Sequence, residues 1–490
     1  MPHSFHHIKS NNPLNQKLTK DCMDSEIKKI RTRFAPSPTG WMHLGNVRIA
    51  LLNALFAKQH KGDFVLRIED TDASRDVDPG GVQIMKDLAW LGLTPTEGPY
   101  YQLQRTELYQ KYLEDLIKRE LVYRCFETAE ELEITRQRQI ARGLPPRYDQ
   151  AALKLSKTEI DALLAAGKPF VWRFKLPQTT VVIKDLSHGD VSFDLSNFSD
   201  FTLTRQDGSF TFIFANFVDD VDMKISHVIR GGDHLTNTAV QAALYNAFSA
   251  PLPIFYHTPL LCNTEGKKLS KRDFGFSLDE LRQAGFLPEA ICNYLGLIGA
   301  SFKEEIMDMN ALVQNISFEH ISSASQVRYD VEKLRWINQK WITKLPSLEL
   351  TKQLYPLMQA AHPALFEKIT PEQFMQLVEP IKTELTTLKD ITSLLHFVFE
   401  APHPAPELLQ LHHVQEHTMF FKSIVSHPAT NAPEFLELLK QKAREEKRPL
   451  KDVLALLRIA LTGAPTGLGI SELGALLELH EIRKRMECLI

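Results

Sequence analysis

Cysteine is scarce and unpatterned: Cys22, Cys125, Cys262, Cys292 and Cys488 are the 5 in 490 residues, and none forms a C-x-x-C pair. That excludes a disulfide framework and fits a reduced, cytoplasmic chain. Long apolar runs are also missing. No stretch approaches the roughly 18–20 residues needed to cross a bilayer, so no membrane association is expected. Residues 1–29 are polar, without the apolar core of a secretory signal, and read as an N-terminal extension. Charge of one sign is lacking too. The net charge of −3 gives no global pull toward nucleic acid, although one basic face is enough to bind phosphates. Such a face is present locally: Arg136, Arg138, Arg142 and Arg147 fall between Glu133 and Asp149 with no acid among them. Internal repeats and low-complexity tracts are absent. What remains is 43% hydrophobic and 24% charged, an ordinary globular composition with material for several cores.

Two short segments carry chemistry. The first runs from Ala35 through Pro36, Ser37, Pro38, Thr39, Gly40, Trp41 and Met42 to His43, Leu44, Gly45 and Asn46, and an apolar-periodic run from Val47 to Phe56 follows it. A turn-rich loop opening a helix places backbone N–H groups and an imidazole where a phosphate chain can sit. The second, Lys267-Lys268-Leu269-Ser270-Lys271-Arg272, sets mobile ammonium groups on a short loop, which suits a leaving pyrophosphate. Each alone is ordinary. Together they describe a nucleoside triphosphate pocket.

The segment Gly62 to Asp70 reads as a strand that follows a helix and ends in carboxylates, the alternation of a doubly wound sheet. Glu69, Asp70 and Asp72 would then project beyond the strand's carboxyl end, where such sheets bind ligands. Strands are expected at 170–175 and 179–183. The sheet is expected to resume near Ala215 and run through Arg230, with a helix from about Thr238 to Phe248. Beyond Arg328 strand signals nearly vanish and helical spacing takes over. The Pro-rich stretch 401–406 divides the helical part, and residues 440–448 read as a surface helix charged on several faces.

The paired motifs resemble the two signatures of class I aminoacyl-tRNA synthetases. The flanking Arg67-Ile68-Glu69-Asp70-Thr71-Asp72, Gly98-Pro99-Tyr100-Tyr101-Gln102, Val228-Ile229-Arg230-Gly231 and Lys333-Leu334-Arg335-Trp336-Ile337-Asn338 narrow the resemblance to the glutamyl-tRNA synthetases, from about Arg33 onward. It implies a multidomain chain: a Rossmann-like α/β catalytic domain in two halves (30–112 and 214–265) split by an α+β connective insertion (113–213) that contacts the tRNA acceptor stem. A stem-contact domain carrying the lysine loop (266–345) would follow, then two all-α anticodon-binding bundles (346–400 and 401–490). It also implies ATP with Mg²⁺, L-glutamate and tRNA as partners, and a monomer. His43, Gly45, Lys268 and Lys271 would be catalytic, with Asn46, Asp233, Leu261, Leu269 and Ser270 also holding ATP. Arg33, Ala35, Ser37, Glu69, Phe212, Asn216 and Arg230 would hold glutamate, with Glu69 on the ammonium and the arginines on the carboxylates. Glu384 and Arg458 would meet the anticodon.

The chain departs from the family pattern at several positions. Asn46 replaces the residue usual after His-x-Gly, and Phe212 stands where a tyrosine is common. Cys125 lacks companions for the zinc site of some members, so no zinc is expected. Glu384 occupies a position where an arginine often reads the third anticodon base. A carboxylate accepts but does not donate, so it suits the N–H donors of G better than the acceptors of C. Relaxed tRNA choice, extending from tRNA(Glu) to tRNA(Gln), follows as an expectation. Three rival readings were weighed: a glutamyl transferase modifying a nucleoside in tRNA, a small-molecule adenylyltransferase, and a non-catalytic tRNA-binding scaffold. The long helical C-terminal part disfavours the first two, and intact His43, Glu69, Lys268 and Lys271 disfavour the third.

Overall fold

Short strands alternate with helices from Arg31 onward, and this sequence of elements builds the sheet that positions the site. The computed structural model describes residues 29–72, 77–318, 321, 324–366, 369–412, 414–465 and 467–490. Apart from Lys29, the extension over residues 1–29, with Cys22, lies outside them. By their contacts they divide into two units, Met1–Leu278 with Leu295–Tyr329, and Asp279–Tyr294 with Asp330–Ile490.

In the first unit β1 (Arg31–Phe34) leads through the Pro-rich loop to α1 (Leu44–Gln59), whose apolar residues are buried on several faces. β2 (Asp63–Ile68) is buried at every position, and α2 (Val82–Trp90) connects it to β3 (Glu97–Tyr101). These strands pair in parallel, β2 central, as expected of strands covered on both faces. α3 (Thr106–Lys118) packs Tyr109, Leu113 and Leu116 inward. It leads to β4 (Val122–Cys125), α4 (Ala129–Ala141), α5 (Lys157–Ala165) and β5 (Val171–Phe174). Both α4 and α5 begin with a capping box, Thr128 with Glu131 and Ser156 with Glu159, which satisfies two of the orphan N–H groups at each end. β4 and β5 form an antiparallel sheet with β8 (Phe201–Thr202), while β6 (Thr180–Asp185) and β7 (Gly189–Asp194) form a hairpin.

Where the sequence suggested a resumed sheet near Ala215, the chain forms α6 (Phe212–Asp222) instead. Residues Phe214 to Asp220 are all buried, so neither a helical nor a strand period shows in the pattern, and the apolar run was ambiguous. The sheet resumes at β9 (His227–Gly231), and α7 (Leu235–Ala247) begins three residues before the expected Thr238. β10 (Ile254–Thr258) pairs in parallel with both β9 and β6, which brings the β6–β7 hairpin into this sheet. β11 (Leu260–Cys262) pairs with β12 (Gln326–Arg328). β1 runs beside β9, where the Ser226 N–H donates to the Arg31 carbonyl at 3.0 Å. The chain therefore winds outward from this seam in opposite directions, β1 to β2 to β3 on one side and β9 to β10 on the other. Such a switch point leaves a crevice beyond the strand ends.

The second unit is helical. Its helix Val331–Lys344 is capped by Asp330, which accepts from the N–H groups of Glu332 and Lys333. The charged segment 440–448 lies at the surface as expected: its first six residues end helix Ala432–Glu445, and of the nine only Ala443 is buried, while the helix's inward face is made by Phe435, Leu436 and Leu439 before it. Arg485, itself buried, donates to the carbonyls of Phe397 and Leu461 and so ties chain from both sides of the Pro-rich stretch.

Across the first unit's seam lies an ion network. Arg67, fully buried on β2, meets Asp220 at 2.8 Å and Asp219 at 3.5 Å, both on α6. Arg67→Met leaves those carboxylates short of a partner in a dry site and should destabilise the unit by about 3–5 kcal/mol, whereas Glu97→Gln, at the solvent-accessible Arg31 pair, should cost at most about 1 kcal/mol. Urea unfolding followed by tryptophan fluorescence measures both, and equal effects would contradict the burial argument.

Candidate active site

The loop after β1 and the loop after β11 are fastened to each other by backbone. Leu44 N–H donates to the Phe276 carbonyl and Leu278 N–H to the Met42 carbonyl, each at 2.9 Å, and His43 lies bridged to Ser277. The His43 ring stacks on Phe276 with centroids 5.4 Å apart. His43 is also the N-cap of α1, its Nδ1 accepting the Asn46 N–H at 3.2 Å. A Cβ at Gly45 would come to 3.0 Å from that imidazole, so the ring would have to give by a few tenths of an ångström. In the second loop, Leu269 N–H donates to the Leu261 carbonyl and Lys268 Nζ reaches Asp233 Oδ2 at 2.9 Å. The histidine motif and the lysine motif, expected to converge, do so.

Both motifs open onto one cleft of about 540 Å³ at the β1/β9 switch point. Its walls include Arg33, Ala35, Ser37, His43, Gly45, Asn46, Glu69, Phe212, Asn216, Arg230, Asp233, Leu261, Lys268 and Leu269. Two residues expected with them are not part of the lining: Ser270 donates to Asp273 at 2.8 Å, and Lys271 is exposed on the outer part of the loop. Glu384 and Arg458 belong to the second unit. Glu384 is exposed at the end of the short turn Glu379–Glu384. Arg458 donates to the carbonyls of Leu468 and Pro465, clamping the loop that follows its own helix.

The inner end of the cleft separates charge by type. Glu69 follows β2, its N–H held by the Pro36 carbonyl at 2.9 Å, and its carboxylate accepts a short hydrogen bond from Asn216 and lies 3.5 Å from Arg67. Burial pushes the Glu69 carboxyl up to about 7, against the pull of Arg67 and Arg33. Burial also tends to raise Asp220, but Arg33 and Arg67 outweigh it and hold the carboxyl below its ordinary value. Arg33 lies 3.3 Å from Asp220 and donates to the Ile229 carbonyl, a contact across the seam from β1 to β9. Arg230, at the β9 end, is lowered to about 10 by burial and by Arg33, and remains a cation near neutral pH. Asn216 Oδ1 and Arg230 Nε are buried without hydrogen-bond partners, one orphan acceptor and one orphan donor. The cleft thus offers an acid with a spare acceptor for an ammonium, guanidinium groups for carboxylates, and an imidazole with an ammonium for phosphates.

Several lining residues went unread in the sequence: Arg48, Thr71, Gln102, Arg205, His234 and Phe276. Asp219 and Asp220, which hold the arginines, also went unread, although two adjacent acids inside an otherwise apolar run were a visible signal. The donor sets do not suit a protein-held metal. Around Cys125 stand Glu127 at 2.9 Å and the Tyr148 hydroxyl at 3.5 Å, and Arg173 Nε lies on the sulfur at 3.2 Å, where a guanidinium opposes a second cation. Among the described residues no group of three or more His, Cys, Asp or Glu could hold a metal ion.

Burial and the Lys268 charge lower the His43 imidazole below its usual value, so it stays neutral with Nδ1 free to accept from Asn46. Its NMR titration midpoint is expected below about 6.5. A midpoint at or above that value would contradict the cap geometry.

Comparison with known proteins agrees with this construction. Residues 29–336 match the family model for tRNA synthetases class I (E and Q), catalytic domain, and residues 349–490 match an anticodon binding domain. The chain is 38% identical over 456 residues to a glutamate–tRNA ligase of Trichodesmium erythraeum, covering 89% of this chain but only 51% of that one, so it spans about half of that relative's length. It is 35% identical over 475 residues to a glutamate–tRNA ligase of Sulfurihydrogenibium, covering 93% of this chain and 98% of the relative. Among solved structures, a glutamate tRNA ligase of Elizabethkingia meningosepticum in complex with its amino acid superimposes with a TM-score of 0.81 at 31% identity, over 94% of this chain and 99% of that one. The catalytic-domain match over residues 29–336 and the anticodon-binding match over residues 349–490 together show that the chain belongs to the class I tRNA synthetase family of the E and Q type, and that it is an aminoacyl-tRNA ligase.

Proposed function

We propose that this chain joins L-glutamate to tRNA in two steps within the cleft: glutamate and ATP give glutamyl-adenylate and pyrophosphate, and a terminal ribose hydroxyl of tRNA then takes the glutamyl group. The observation that carries this reading is the presence, in one 540 Å³ cleft, of a buried acid beside two guanidinium groups at one end and His43 with Lys268 at the other. Glutamate has one ammonium and two carboxylates, which is the complement of Glu69, Arg33 and Arg230. Relatives named glutamate–tRNA ligase at 35–41% identity support the choice of amino acid.

The first step needs no covalent enzyme nucleophile. The α-carboxylate of glutamate attacks the α-phosphorus, and the bond to the β,γ-pyrophosphate breaks. Alignment of the reactants and stabilisation of charge on the phosphates supply the rate. His43 and Gly45, at the start of α1, hold the phosphates. Lys268 moves from Asp233 to the triphosphate, and Lys271, on the exposed part of the same loop, joins it as the bond breaks. Mg²⁺ bound to ATP neutralises part of the phosphate charge. Glutamine is disfavoured because its amide N–H₂ would face guanidinium donors and leave them unpaired. No helix among the described residues is long and apolar enough to cross a membrane.

ATP–pyrophosphate exchange tests the reading. Exchange should require glutamate, fail with glutamine, and be measured with and without tRNA. Because burial raises Glu69 to about 7 in the free site, binding an ammonium ionises it and expels a proton. The KM for glutamate should therefore fall as pH rises through 7 and level off above it, by up to about ten-fold per pH unit on the acidic side. In Glu69→Gln that pH dependence should vanish and KM should be raised throughout; a flat profile in the unmodified chain would exclude the assignment.

A second reading concerns the tRNA. Glu384 presents an exposed carboxylate at the end of its turn, an acceptor suited to G rather than C. The chain would then also glutamylate tRNA(Gln), for later amidation. Charging purified tRNA(Glu) and tRNA(Gln) side by side should give comparable rates, and Glu384→Arg should shift the preference toward tRNA(Glu). Strict use of tRNA(Glu) by the unaltered chain ends this reading.

A further inference from the structure

Arg230 is long, and a guanidinium that must select a carboxylate has to be aimed. Its Nη2 donates to Thr238 Oγ1 at 2.7 Å. Thr238 Oγ1 lies 2.8 Å from His257 Nε2, and His257 Nδ1 lies 2.6 Å from Asp185 Oδ2. Thr238 is fully buried, and the side chains of His257 and Asp185 are 1% and 0% exposed. The chain of contacts crosses three strands: Asp185 ends β6, and His257 and Arg230 are register partners on β10 and β9.

Each proton in this chain has one consistent place. Asp185 is held ionised, because hydrogen bonds from His257, Ser187 and His188 outweigh its burial, so His257 Nδ1–H must donate to it. His257 is then neutral, with a lone pair on Nε2. The Thr238 hydroxyl donates to that lone pair at 2.8 Å in preference to the His234 carbonyl at 3.2 Å, and its oxygen accepts from Arg230. The far end is anchored as well: Asp185 also accepts the N–H groups of Ser187, His188 and His257. One edge of the guanidinium is thus committed to the relay, while Nε remains a buried donor without a partner. A group tethered at one edge loses few rotamers when it binds, and small misplacements of such groups are costly.

We infer that Asp185, His257 and Thr238 form a positioning relay that aims Arg230 into the cleft and thereby sets its selectivity for a carboxylate-bearing substrate. The inference rests on the proposed reading of Arg230 as a carboxylate ligand. Thr238 and His257 touch no substrate and act through the guanidinium. The relay also ends in the β6–β7 hairpin, outside the cleft lining, so residues remote in sequence from both phosphate motifs govern amino-acid choice.

Glutamate-dependent ATP–pyrophosphate exchange by the full chain, with tRNA present, tests this. Thr238→Val keeps the side chain's shape and removes the hydroxyl. It should raise the KM for glutamate by about ten-fold or more, with kcat and the KM for ATP changed less than about three-fold, whereas Thr238→Ser should keep the original KM. His257→Leu and His257→Gln make a second pair, since glutamine retains an acceptor for Thr238, and the same contrast is expected. Thermal melting checks that each variant is folded. Folded Thr238→Val and His257→Leu with KM for glutamate within about two-fold of the original would overturn the relay, as would an equal rise in the KM for ATP. Arg230→Ala separates the two claims. A large KM rise there with silent Thr238 and His257 variants removes the relay alone, and an unchanged KM removes the reading of Arg230 and the relay with it.

Discussion

Asp219 and Asp220, adjacent on α6 and almost fully buried, are the constraint on which the catalytic half of the molecule depends. A buried carboxylate is tolerated only with cations or strong donors around it. Asp220 draws Arg33 from β1 and Arg67 from β2, and Asp219 draws Gln102, Arg105 and Tyr109. The two acids therefore gather β1, β2, the segment after β3, and α3 around one helix. They also leave Glu69 beside Arg67 and Asn216, in a site dry enough to raise its carboxyl to about 7.

A second constraint couples the two phosphate motifs. They are more than two hundred residues apart in sequence, yet hydrogen bonds between 42–44 and 276–278 make them neighbours through backbone, independent of the side chains that do chemistry. His43 can then serve as helix cap and cleft wall at once. At Gly45 a side chain would crowd the imidazole it faces, while its own backbone angle is ordinary for a helix. In the proposed reading, a rigid histidine side meets a lysine loop whose outer part, with Lys271, stays exposed.

Much of the fold was legible because it rests on local pattern. The loop-to-helix signal before Leu44, the strand ending at Glu69 and the helical C-terminal region were read from spacing, and the elements stand there. The reading failed where burial erased the pattern. Phe212–Asp222 is apolar around most of its circumference, so it looked like sheet, and the buried pair Asp219 and Asp220 among its three acids went unread. Residues 440–448, read as a charged surface helix, do lie at the surface, with Ala443 alone buried among them. Of the cleft, the residues carried by motifs were found. Arg205 and His234, outside the quoted motifs, were not, nor were Gln102, which ends one of them, and Arg48, on the helix that the first motif opens.

The sequence by itself determined the family, the order of α/β and helical parts, and the two motifs, because each depends on residues close together in the chain. Only the tertiary structure decided which charges meet. The pairing of Arg67 with Asp219 and Asp220, the hold of Thr238 on Arg230 and the hold of Asp185 on His257 are contacts between separate elements of the chain. No local spacing encodes them. They arise because packed strands and helices exclude water, and every charge left inside must find a partner from whatever strand or helix the winding brings beside it.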